Sequence, residues 1–172
     1  DLALDRQFSA ISPGASLATY RKACALDEGP AGLGAQDFSG NFSKWVLWHD
    51  PILGFLNSYL PPGLFEHYRK LANELDREDG DEAIGFTIQI ARAVGPKAEL
   101  LEKVRAAWLE KDQAELARLR AAVLPDCLEA VRSLWRTHRS IWRKWNKPFG
   151  WEVLDRRYAG CVARLESLGL LL

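Results

Sequence analysis

The sequence predicts an all-α fold: a helical bundle with an irregular N-terminal lead-in and a C-terminal antiparallel helical hairpin. Three observations predict it. Leu128, Val131, Trp135, His138, Trp142 and Trp145 recur at spacings of 3, 4, 3, 4, 3, and Leu154, Tyr158, Cys161, Leu165 and Leu168 at 4, 3, 4, 3. Both are the one-sided rhythm of a 3.6-residue helix. The stretch between them, 147–150, is a short turn containing a proline and a glycine. Two seams joined so closely pack side by side in opposite directions. The chain accordingly divides into a lead-in, 1–50, and a helical bundle domain, 51–172.

From the N-terminus, 5–10 and 16–27 each suit a short helix, the second capped by Ser16 with Leu17, Tyr20 and Cys24 on one side. Residues 28–40 hold four glycines and a proline and read as a loop. The apolar run 44–48 suits a strand or extended segment, ending at Asp50-Pro51 because a residue before proline is pushed out of the helical region. Residues 52–59 suit a short helix. Pro61-Pro62 opens the next, where proline in the first turn loses no helical hydrogen bond. Leu64, Tyr68, Leu71 and Leu75 follow at 4, 3, 4, before Gly80 ends it. A helix over 81–94 is expected to break or kink at Gly95-Pro96 and resume over 97–111, with Leu101, Val104 and Trp108 inward. Asp112 is a good N-cap for 113–123, with Glu115 placed as in a capping box. Pro125 then opens or kinks into 126–146, expected to be the longest element.

Composition excludes several functions. Hydrophobic residues are 48% and charged residues 27%, enough for a chain of this length to bury roughly 70% of its unfolded surface. Lys plus Arg equal Asp plus Glu at 23 each, so no net field steers polyanions or acidic membranes. No apolar run approaches the roughly 20 residues of a membrane span, and the start does not resemble a signal segment. Cys24, Cys127 and Cys161 are odd in number and lack metal-type spacing, two of them on apolar helix faces. They read as buried free thiols of a reducing, cytoplasmic compartment. Methionine is absent, even at position 1, so the chain is expected to be a piece of a larger protein.

The candidate chemistries are few. Arg132, Arg136, Arg139 and Arg143, with Lys144 and Lys147 beyond, interleave with tryptophans as a nucleic-acid reader would. The tryptophans, however, occupy the packing seam, and cations late in a helix complement its dipole. A solvated or ion-paired face is the better reading, against nucleic acid. Asp81-Glu82 is an acidic pair between two helices, after Asp76, Arg77, Glu78 and Asp79, and reads as a helix cap. His49, His67 and His138 lack partners at metal-ligand spacing, so no metal and no cofactor is expected. His138 reads as a hydrogen-bonded core residue. Nucleophile and phosphate-loop contexts are missing, so no catalytic residue is assigned. Trp45, Trp48, His49 and Asp50 stay open. A flat aromatic face beside a carboxylate suits a sugar; equally, the indoles are core and Asp50 caps a helix.

At this point a resemblance enters. KWVLWHDPILG at 44–54 resembles the segment opening the C-terminal helical region in one bacterial subgroup of family 20 β-N-acetylhexosaminidases. HYRKL at 67–71, residues 97–108 with Asp112, and NKPFGWEVLDRRYAG at 146–160 with Ala163, Arg164 and Leu165 follow in the same order. The resemblance spans roughly 38–168 and departs at Ala159, where the pattern has the first glycine of a pair. It implies a parent exo-hydrolase removing terminal N-acetylhexosamine. Its (β/α)8 barrel would lie before residue 1 and carry a catalytic Asp-Glu pair, the Asp orienting the acetamido nucleophile and the Glu acting as acid and base. This chain would support that barrel in the same polypeptide, with Trp48, His49 and Asp50 at the site rim, or make a homodimer contact. Asp155 and Arg157 match an Asp-x-Arg of the pattern. Two apart on a helix, they do not face each other, and each is expected to pair with a neighbouring helix, a structural role shared with Trp135, His138, Trp142 and Trp145. The rival is a self-standing helical protein- or RNA-interaction module. An independent small hydrolase lacks an assembled acid, base and nucleophile.

Overall fold

The structure, a computed structural model, describes residues 2–12, 14–30, 41–54 and 57–172. Helices α1 (Leu2–Ile11), α2 (Leu17–Ala23) and α3 (Phe42–Trp48) lead into α4 (Leu64–Leu75) and α5 (Glu82–Glu110). Then come α6 (Gln113–Arg118), α7 (Leu124–Trp145) and α8 (Trp151–Leu171). Among the described residues there is no strand, and the fold is the expected all-α bundle.

Local side-chain caps start several helices. Ser16 accepts from the Thr19 amide (3.0 Å), Asp81 from those of Ala83 and Ile84 (3.0 and 3.1 Å), and Asp112 from that of Glu115 (3.0 Å). Each satisfies donors that the first helical turn leaves without partners. The Glu115 carboxylate turns to Arg118.

α5 is the central element, packed between α4 and α7 and touched by α3. At 29 residues it is the longest helix, and it runs unbroken through Pro96, against expectation. The proline removes one hydrogen bond to the Arg92 carbonyl, but neighbours on both sides hold the helix. Gly95 faces α4, where a Cβ would make ordinary contact at 3.6 Å from that of Tyr68 and 3.8 Å from the Phe65 carbonyl oxygen. The inward stripe ends on Val104 and Ala107, so Trp108, expected inward, stands 54% exposed. Pro125 stands in the first turn of α7, opening it as expected. A π-turn over Leu119–Val123 links α6 to α7, widening the backbone ring where the proline lacks its donor.

Three further expectations fail. Residues 44–48 belong to a helix, α3, capped by Asn41 and burying Phe42, Val46 and Leu47; a short apolar run does not by itself distinguish strand from buried helix. Residues 52–59 make no continuous helix. Pro51 to Leu53 form a turn, Gly54 takes φ +60°, and a single 3₁₀ turn occupies Asn57–Tyr59. On α2 the buried residue is Thr19, whereas Cys24 is exposed. Of the expected 28–40 loop, 31–40 lie outside the described residues.

α7 and α8 form the expected hairpin, its turn closed by Gly150 at φ +93°. The fully buried stripe of α7, though, is Leu124, Cys127, Val131 and Leu134. Leu128, Trp135, His138 and Trp142 flank it half-buried, and Trp145 is 70% exposed. α7 serves two neighbours, α5 and α8, so its buried face is centred between them and the aromatic line lies to one side. On α8, Trp151, Tyr158, Cys161, Val162, Leu165 and Leu168 are buried. The same core includes Val46, Leu64, Tyr68 and Leu101, while Ala15, Leu71, Leu75, Ile84 and Ile88 make a smaller cluster.

Candidate functional site

Two groups of aromatic and ionisable side chains qualify, both packed on α8. In the first, Asp155 Oδ1 accepts three hydrogen bonds: from the indole N–H of Trp135 (2.8 Å), that of Trp151 (2.6 Å) and Nη2 of Arg139 (2.6 Å). The Arg139 guanidinium lies over the Trp135 ring, 5.1 Å from its centroid. Burial pushes the Asp155 carboxyl up, but the Arg139 and indole hydrogen bonds outweigh it and hold it below the usual aspartate value. His138 lies 3.1 Å through Nδ1 from the Tyr158 hydroxyl and packs edge-on against Trp151. Burial lowers its pKa, so the neutral ring is favoured. The Trp142 indole donates to the Lys147 carbonyl (2.9 Å), tying down the turn. Trp145 leaves the packing and its indole points to Glu82 (3.3 Å), which also receives Lys144 (3.0 Å).

These polar atoms face one another. A sugar-stacking platform would present a free indole face with unpaired donors; here the indoles of Trp135 and Trp151 both donate to one carboxylate, whose side chain is 38% exposed. Tryptophan N–H groups need a partner when they enter a core, and Asp155 supplies it.

The second group is Trp48, His49 and Asp50. Trp48 ends α3, its ring edge-on to Tyr158 with centroids 4.9 Å apart and the Arg157 guanidinium 5.8 Å from its own centroid. His49 is buried, its Nε2 3.0 Å from Asn57 Oδ1, while the Asn57 amide donates to the Leu101 carbonyl (2.9 Å). Burial lowers the His49 pKa. Asp50 Oδ1 accepts from the Ile52 and Leu53 amides (2.8 and 3.0 Å), and Oδ2 receives Arg164 Nε at 2.6 Å. Burial pushes the Asp50 carboxyl up, but Arg164 and the two amides hold it at about 2. Asp50 thus organises a turn and joins α8. It is a fixed anion, poorly suited to proton transfer near neutrality.

Lys97, Arg164 and Asn57 were not singled out from the sequence. Lys97 is 1% exposed, and its ammonium donates to the Leu47 carbonyl (2.6 Å) one residue before Trp48. A signal for it existed: Val94, Lys97, Leu101 and Val104 keep the 3, 4, 3 spacing of the inward stripe. Arg164 and Asn57 carried no such mark.

The other candidates resolve simply. Arg132, Arg136 and Arg139 pair with Glu166, Glu129 and Asp155, and Arg143 is exposed. Asp81 caps α5 and receives the Tyr20 hydroxyl. Gly160 faces open space and Ala159 is exposed, so the small pair of the family pattern makes no close helix contact here. Among the described residues no three His, Cys, Asp or Glu gather to hold a metal, and no helix is long and apolar enough to cross a membrane.

Residues 19–172, from α2 to the last residue, match the family described as the glycoside hydrolase 20C C-terminal domain. The chain belongs to that family. No curated protein matches it. As a glycoside hydrolase 20C C-terminal domain it is an accessory domain of a glycoside hydrolase, and the match takes in both aromatic groups and the whole α7–α8 hairpin.

Proposed function

We propose that this C-terminal domain is a non-catalytic support for the (β/α)8 barrel of an exo-β-N-acetylhexosaminidase in the same polypeptide, the catalytic Asp-Glu pair lying on that barrel. The observation that carries the reading is the closure around Asp155: two indole N–H groups and a guanidinium converge on one oxygen, leaving packing rather than a reacting centre. Family membership supports the barrel as partner. In this reading 1–50 leads from the barrel to the bundle, and Trp48, His49 and Asp50 stand at the rim of the sugar site. Beside them Leu53, Trp108 and Leu171 line a cleft of about 600 Å³. All three are more than half exposed, an apolar surface suited to the barrel or to a second copy in a homodimer.

The isolated chain, offered a chromogenic N-acetylglucosaminide, is expected to give no turnover. Activity that follows the chain through purification would overturn the support role. The rim role has its own test in the full-length enzyme. Asp50→Asn keeps an oxygen for the Ile52 and Leu53 amides and removes the charge. A fall in kcat/KM at unchanged Tm supports a rim position; a fall in Tm with kcat/KM preserved in the folded fraction rejects it.

A further inference from the structure

Lys97 is the one lysine or arginine buried among the described residues, and its ammonium meets no carboxylate there. Capping the last turn of α3 through the Leu47 carbonyl accounts for one of its contacts. It does not account for the other: Nζ lies 3.1 Å from Cys161 Sγ, and that sulfur lies 3.4 Å from the same Leu47 carbonyl oxygen. A primary amine and an oxidisable sulfur, from α5 and α8, are therefore held in contact with 8% of the cysteine still open to solvent. Neither group takes part in the closure around Asp155 or in the Asp50 turn.

We propose that Lys97 and Cys161 are a peroxide-responsive modification site, which oxidation converts to a covalent sulfur–nitrogen link between α5 and α8. The Cys161 thiol gives up its proton and the sulfur attacks one oxygen of hydrogen peroxide; the O–O bond breaks, the hydroxide released takes up that proton, and a sulfenic acid and water result, sulfur losing two electrons and the peroxide gaining them. The Lys97 nitrogen, as the free amine, then attacks the sulfur. The S–O bond breaks, and the departing hydroxide takes a proton from nitrogen to leave as water. One peroxide is consumed and two waters are formed, with no further oxidant. Sulfenic acids already condense in this way with backbone nitrogen and with thiols. Thiol reductants return the link to thiol and amine. The link withdraws the ammonium from the Leu47 carbonyl, so oxidation reaches the end of α3 next to Trp48.

Cys127 is the rival partner, buried on α7 in the same core. In the full-length protein carrying Cys24→Ser, which removes the exposed thiol, peroxide treatment is followed by alkylation, proteolysis without reductant and mass spectrometry. The expected product is a joined pair of peptides containing Lys97 and Cys161, lighter than their sum by two hydrogens. It should disappear with dithiothreitol and be absent from Lys97→Arg and from Cys161→Ala, whose small side chain fits the buried position. Cys161 recovered as thiol or sulfinic acid with Lys97 free, or joined to Cys127, would overturn the proposal.

Discussion

Between Leu124 and Leu134, α7 presents aliphatic side chains and a thiol to α5 and α8 and is sealed; between Trp135 and Trp145 it presents aromatics that open step by step to solvent. The 3-4 spacing runs through both halves. It sets the direction a side chain takes and leaves its depth undetermined. Depth comes from the neighbours: beside the aromatic half α5 offers only its first turns, Phe86 against His138 and Glu82 against Lys144 and Trp145, and the largest side chains stay half-covered. What holds the aromatic half is polar geometry, with Asp155 as its centre.

Changes in the two halves should therefore differ in kind. Leu134→Ala, in the sealed half, leaves a cavity no neighbour fills and is expected to cost about 2–5 kcal/mol in denaturant unfolding; a cost below that range would mean the sealed half can collapse. Asp155→Ala strands two indole donors and a guanidinium, and about 1–3 kcal/mol is expected. Asp155→Asn keeps an acceptor and should lose less. If the two substitutions are equal, the charge with Arg139 rather than the indole bonds holds the aromatic half.

Acid should separate the halves as well. The pKa of His138 is lowered by burial, so the folded protein favours the neutral ring. Its contribution is present above the ordinary imidazole value and is lost as pH falls below it, because the unfolded chain then binds the proton more readily. Asp155 is also lowered, its hydrogen bonds outweighing burial, so a second loss begins below the ordinary aspartate value. Tm is expected to fall below about pH 6.5, and His138→Phe should shrink that first step, the remainder belonging to His49, whose pKa burial also lowers; an undiminished step in His138→Phe would assign it to His49 alone. Smallest of all, Trp145→Ala should move stability by no more than about 0.5 kcal/mol, and a larger loss would show that Trp145 packs in solution.

The parts of the fold legible in the sequence were those decided within a few residues. Ser16, Asp81 and Asp112 cap through side chains bonded two or three positions on, and the hairpin follows from two seams and a short turn. What escaped was decided at a distance. α3 is a helix because Val46 and Leu47 enter a core made largely by other elements, and Pro96 sits inside a helix that α4 and α7 hold together. Asp50 meets Arg164 across 114 residues, which no local pattern encodes. For the candidate site, the sequence placed Trp135, His138 and Trp142 on one helix and Tyr158 on the next, and did not single out Trp151. It did not show that the indoles of Trp135 and Trp151 converge on Asp155.

Hydrogen exchange at the Trp135 and Trp151 indole N–H groups, followed by NMR while N-acetylglucosamine is added, tests that convergence most directly. Donation to Asp155 predicts two slowly exchanging indole resonances that do not shift with the sugar. Fast exchange, or a saturable shift of either resonance, would mean that the stripe is an open binding face.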